Sequence, residues 1–179
     1  MFCDNEFINF VVTRRSHRYF LPDMPKREDL ALIAETGRYA PSGMNRQQCH
    51  FLVVTNQEIL EKLTAMVSEK LDGFATRDFR YEAPAMIIVC HRKDCTVALQ
   101  DASCALENMM LAAHALKLGS RWVNQLWRLS DDPDIRGLLA PYGYAENEFI
   151  VASLIVGYPD ESIPLHNLPR RGNLVDWIE

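Results

Sequence analysis

Arg14-Arg15-Ser16-His17-Arg18 puts three guanidinium groups, a hydroxyl and an imidazole at the end of an apolar opening segment. A guanidinium is a planar fork of donors that matches phosphate oxygens and keeps its charge at any ordinary pH. A serine hydroxyl and nearby backbone N–H groups can complete such a cradle. The whole chain carries a formal charge of −5, so a basic knot this dense points to a local anion site rather than a generally basic surface. The alternative is a solvated basic turn, the ordinary state of a charge cluster.

A second stretch, Ala40-Pro41-Ser42-Gly43-Met44-Asn45-Arg46-Gln47-Gln48-Cys49, combines loop-forming residues with side-chain amides. Amides donate and accept at once, which suits the edge of a heterocycle, although a polar connecting loop has the same composition. In a third stretch, Trp122 and Trp127 flank Asn124 and Gln125, where they either wall a planar ligand or simply pack. The chain has no Walker-type or Rossmann glycine pattern, so a bound nucleotide phosphate must be held by side chains. There is no G-x-S-x-G and no evident Cys–His nucleophile pair, which leaves covalent hydrolytic chemistry without support. Cys90 and Cys95 are separated by four intervening residues, one of them His, with no second pair downstream, so no metal is expected.

The elements that must position these residues follow from hydrophobic spacing. Phe7, Ile8, Phe10 and Val11 recur at helical intervals behind a cap at Asp4 or Asn5, so a first helix delivers the arginines at its C-terminal end. Residues 18–22 read as extended chain leading into Pro22. A second helix starts after Pro25 with Glu28 and Asp29 and ends near residues 37–39. Residues 50–55 predict a short buried strand, residues 57–71 an amphipathic helix, and residues 73–82 a loop or short helix. Residues 84–90 are apolar throughout and predict a strand covered on both faces. Residues 97–118 form the most apolar helix, with Gly119 expected at C′ and Asp101, Glu107, Asn108 and His114 as polar exceptions. Residues 120–128 predict an extended edge followed by a loop, 133–139 a short helix, and 147–157 another buried strand.

A chain of 179 residues with 48% hydrophobic and 24% charged content reads as one domain, residues 1–179, of ordinary globular composition. The tail of about residues 158–179 is too poor in apolar residues to fold alone and is expected to lie on the body or on a partner. The acidic balance argues against nucleic acid as a partner. The longest apolar runs fall short of the ~20 residues that span a bilayer. No basic n-region precedes an apolar stretch at the N-terminus, so a cytoplasmic protein is expected.

Together, the Arg14–Arg18 knot and the Ala40-to-Gln47 stretch resemble the two N-terminal signatures of the nitroreductase family, flavin mononucleotide (FMN)-dependent oxidoreductases. The likeness extends through the helix of residues 101–119, Val156-Gly157-Tyr158-Pro159 and Pro169-Arg170-Arg171, in order and at about the family spacings. One departure is Gln48-Cys49-His50, where the family has proline and then an aromatic residue. The resemblance implies an α+β fold, a mixed central β-sheet surrounded by helices, in a domain-entwined homodimer with FMN at the subunit interface. By position, Arg14, Ser16 and Arg18 would hold the flavin phosphate and ribityl chain, with Arg15 nearby and Arg170 or Arg171 adding charge. The loop of Pro41, Ser42, Gly43, Asn45 and Gln47 would reach the flavin of the other subunit. Trp122, Asn124 and Gln125 would wall the pocket.

The activity so implied is ping-pong hydride transfer, from NADH or NADPH to flavin N5 and on to a small electron-poor acceptor such as a nitroaromatic or quinone. No catalytic side chain is required by that scheme. Flavin fragmentation, dehalogenation and ene reduction belong to the same fold. A non-catalytic FMN-storage dimer shares its binding motifs, and a flavin-free scaffold would use the arginines only for salt bridges.

Overall fold

The computed structural model describes residues 4–73, 78–165, 172 and 175–178. Its centre is a four-stranded sheet in the order β1-β2-β4-β3, with β1 at His50–Val54, β2 at Ala85–Arg92, β3 at Gly119–Val123 and β4 at Glu148–Gly157. These strands pair antiparallel throughout, and a single parallel bridge joins Ser16 to Ser120 beside them. The continuous aliphatic runs of β2 and β4 occupy the two central positions, where both faces are covered. Side chains alternate across β2. Met86, Ile88 and Cys90 enter one core cluster, while Ala85, Ile87 and Val89 enter the other. A register shift between Val89 and Cys90 places Val151 and Ala152 of β4 on the same side. The expectation of a short buried strand at residues 50–55 needs correction, because β1 is an edge strand and Val53 is 42% exposed.

Helix α1 (Glu6–Thr13) starts where the Asn5 side chain accepts the N–H of Ile8 at 3.0 Å. Helix α2 (Arg27–Arg38) and helix α4 (Ala98–Ala115) pack together over one face of the sheet through Leu30, Ile33, Leu106 and Met109. Helix α3 (Gln57–Lys70) covers the other face through Leu60, Leu63 and Val67. Residues 125–128, expected as loop, form a short helix α5 (Gln125–Arg128), and α6 (Pro133–Leu139) follows under an Asp132 cap. Gly119 does not close α4. Lys117 takes the left-handed position at φ 59°, and Leu118 N–H bonds back to the Ala113 carbonyl at 2.8 Å. Among the described residues no helix is long and apolar enough to cross a membrane.

The segment after α1 is extended, as its sequence predicts, and runs across the ends of β3 and β4. His17 N–H bonds to the Ser120 carbonyl at 3.0 Å, and Leu21 N–H to the Tyr158 carbonyl at 2.9 Å. Phe20 crosses so closely that a Cβ at Gly119 would lie 3.1 Å from its ring, and one at Gly157 would lie 3.0 Å away. The beginning of the tail also meets this segment, through a bridge between Phe20 and Pro159. Arg170 and Arg171 lie outside the described residues.

Candidate cofactor site

Helix α1 ends at Arg14, whose ψ of 140° turns the chain into extended conformation. Arg15 finishes the helix rather than facing outward: its Nη1 donates to the carbonyls of Val12 at 2.9 Å and Arg14 at 3.0 Å. Arg14 turns inward. Glu107 Oε1 lies 3.4 Å from its Nε, but without hydrogen-bond geometry, so Nε and Nη1 are buried donors lacking an acceptor. Nδ1 of His17 is likewise buried and unpartnered. Burial is the main influence lowering the His17 pKa, and the neighbouring charges of His114 and Arg14 lower it further. Ser16 and Arg18 stay exposed on the same extended stretch. An orphaned buried donor costs roughly 1–3 kcal/mol. Unmet donors beside a free hydroxyl and a second guanidinium therefore fit an anion with several acceptor oxygens, such as a phosphate monoester.

The second motif folds as a 3-10 turn at Gly43–Asn45. Met44, Asn45 and Gln47 all have positive φ, at 56°, 54° and 52°. Each such residue costs roughly 1–2 kcal/mol, and asparagine tolerates the conformation best. Internal bonds offset part of this: Asn45 N–H to the Ser42 carbonyl at 2.9 Å, Gln47 N–H to Ser42 Oγ at 3.0 Å, and Gln47 Nε2 to Asn45 Oδ1 at 3.0 Å. Gly43 N–H donates to Asp101 Oδ1 on α4 at 2.9 Å. The loop thus presents its side chains in one fixed arrangement, and Met44 stands 87% exposed at its tip.

The two motifs are not brought together within one chain. Pro41, Ser42, Asn45 and Gln47 line a cavity of about 490 Å³ together with Cys49 and Asp101, and none of Arg14, Ser16 and Arg18 borders it. His17 and Arg18 line a different cavity of about 270 Å³ with the beginning of the tail. The Trp122 indole N–H is turned onto Asn124 Oδ1, and the half-buried ring packs on the core. Gln125 keeps a buried, unpartnered Oε1. Trp127, the other tryptophan of that stretch, is exposed.

Sequence reasoning did not single out His17, His91 or Glu107 for roles at these motifs, and it read Asp101 only as a polar exception. Asp101 in the first turn of an otherwise apolar helix was the available signal. Asn108, another exception, is satisfied by the Thr36 carbonyl at 3.1 Å. His91, Cys95 and Asp101 bring potential ligand atoms within 4.8 Å of one another, but both Asp101 oxygens already have partners, Gly43 N–H and His91. Burial, and secondly the Asp101 charge, push the Cys49 thiol up to about 12, so it is no nucleophile at neutral pH.

This fold, with a basic corner after α1 and an amide loop after α2, is that of a known class. The chain belongs to the nitroreductase family, whose model matches residues 11–158. It is similar to a nitroreductase with bound FMN from Bacteroides fragilis, with a TM-score of 0.92 and 33% identity over 98% of this chain and 100% of that one. A protein of Archaeoglobus fulgidus provisionally named NADH dehydrogenase/NAD(P)H nitroreductase is 30% identical, covering 94% of each chain. The iodotyrosine deiodinase of Thermotoga neapolitana is 27% identical, over 92% of this chain and 93% of that protein.

Proposed function

We propose that the chain is a single-domain, FMN-dependent NAD(P)H oxidoreductase that reduces a small electron-poor acceptor, a nitroaromatic or quinone. It works as a homodimer with the flavin between subunits. The observation that carries this reading is the buried, acceptor-less guanidinium of Arg14, which the FMN phosphate would complete. The FMN-bound Bacteroides fragilis structure supports the cofactor, and the name given to the Archaeoglobus fulgidus relative supports the nicotinamide donor. When bound, FMN supplies a site at N5 that accepts hydride from NAD(P)H and passes it to the second substrate.

This chain's own residues bind and orient. Arg14, Ser16 and Arg18 hold the phosphate and ribityl chain, and Arg15 secures the helix end from which they project. Ser42, Asn45 and Gln47 on the strained loop meet the flavin of the partner subunit. The separation of the two motifs within one chain supports that division. Arg170 or Arg171, outside the described residues, would add charge at the phosphate, and Gln125 offers an unfilled acceptor at the pocket wall. A reducing, cytoplasmic setting goes with this reading, and Cys49, Cys90, Cys95 and Cys104 are free cysteines.

An absorbance spectrum of the purified protein, followed by anaerobic NADH and NADPH, tests the reading. Flavin bands that bleach are expected, with the faster nucleotide naming the donor. A colourless protein that acquires no bands with added FMN would overturn it. Similarity to the deiodinase favours reductive dehalogenation as the second reading. Iodide release from a halogenated phenol by the reduced protein, without nitroaromatic turnover, would select it.

A further inference from the structure

We propose that Asp101, seated on His91, is a positioning residue that sets the orientation of the loop carrying Ser42, Asn45 and Gln47. This rests on the flavin reading of that loop and deepens it, since Asp101 lies outside both signature motifs.

Asp101 is 5% exposed in the first turn of α4. A buried carboxylate is costly unless its oxygens are met by donors. Here Oδ1 takes the Gly43 N–H at 2.9 Å, and Oδ2 lies 3.4 Å from Nε2 of the fully buried His91. The other His91 ring nitrogen lies 3.3 Å from the Arg92 carbonyl, so β2 and α4 together fix where the carboxylate stands. Gly43 is held against the same place: a Cβ there would lie 2.6 Å from Val97 Cγ2.

Immediately downstream come the positive-φ residues Met44, Asn45 and Gln47. Conformations of that kind persist only when the surroundings over-determine them. The bonds of Asn45 and Gln47 to Ser42 close the loop on itself, whereas the Gly43–Asp101 bond ties it to α4. Without that tie the loop keeps its internal turn but loses its bearing on the rest of the subunit. Asn45 and Gln47 then have no fixed orientation to offer a flavin. A carboxylate accepting a backbone N–H makes the stronger, charge-assisted kind of bond.

The test compares full-length wild type with Asp101→Ala and Asp101→Asn, reading the FMN dissociation constant and the visible circular dichroism of bound flavin. Asp101→Ala is expected to weaken FMN about 10-fold or more and to alter the flavin dichroism. Asp101→Asn, which keeps an acceptor for Gly43, is expected to recover most of the affinity. Asp101→Ala binding within about twofold of wild type, with unchanged dichroism, would overturn the proposal. So would an asparagine variant as weak as the alanine one. Should the alanine variant fail to fold, hydrogen exchange in the wild-type protein decides. Protection of the Gly43 amide by about 100-fold or more over an open chain supports the tie, and exchange at the open-chain rate overturns it. A wild type that binds no FMN refutes the flavin reading, while the Gly43 exchange still reports on Asp101.

Discussion

Nε of Arg14 stands 3.4 Å from Glu107 Oε1, yet the pair makes no hydrogen bond, and Nε and Nη1 remain buried without acceptors. The carboxylate offsets the guanidinium charge across the α1–α4 contact but leaves its donors free. An anion can then be bound without first breaking a hydrogen-bonded pair.

Arg14→Ala should weaken FMN binding by about 1.5–3 kcal/mol, the range for a charge-assisted hydrogen bond. The flavin-free protein should lose little, because the removed nitrogens make no hydrogen bond there. Fluorescence titration with FMN and a melting curve without it check both halves. An unchanged flavin affinity would remove Arg14 from the site.

If the basic corner and the amide loop serve one flavin from opposite subunits, two defective variants should complement each other. Arg14→Ala and Asn45→Ala homodimers should each turn over poorly. Unfolded together in equal amounts and refolded, they should give half heterodimers, each with one intact site, or about a quarter of wild-type activity at random pairing. Activity no higher than the mean of the two parents would mean that both motifs act on the same subunit's flavin.

Core positions were plain in the sequence where burial is two-sided and obscure where it depends on sheet order. The unbroken apolar run of residues 84–90 could only be a central strand. Residues 50–55 are as apolar as an inner strand, but pairing with β2 alone leaves them at an edge. Gly119 looked like a helix terminator, yet the left-handed position fell to Lys117, since Gly119 is needed where His17 and Phe20 cross β3. Both signature motifs were legible because charge and amide density stand out locally. Asp101 and His91 meet Gly43 only through contacts 58 and 10 residues apart, and spacing alone could not announce them.

The edge and the centre of the sheet should therefore respond differently to truncation. Ile88 is fully buried in β2, so Ile88→Ala should cost about 2–5 kcal/mol. Val53→Ala on the exposed face of β1 should fall within about 0.5 kcal/mol of wild type. Urea midpoints of the two variants measure this directly. Equal losses would mean that Val53 is covered in solution, as a partner seated on that edge would cause.

Acid should weaken the flavin-free protein well before its carboxylates titrate. Burial lowers the pKa of His17 and of His114, and the charges of Arg14 and Arg15 lower that of His114 further. Both groups bind protons less readily when folded, so the unfolded chain takes up more protons below its ordinary histidine value of about 6.5. The corresponding stability is complete above that value and is lost as the pH falls from there through the lowered folded-state values. Lys93 and Lys70 hold the exposed Asp131 and the half-buried Asp132 below the usual carboxylate range, and their contributions fade only at more acid pH. The melting temperature should therefore drop between pH 7 and pH 5, and the drop should shrink in His17→Asn. It should also shrink with FMN bound, because a phosphate near His17 favours the protonated ring. Melting curves at constant ionic strength provide the test, and a flat profile over that range in the flavin-free protein would contradict the placement of both histidines.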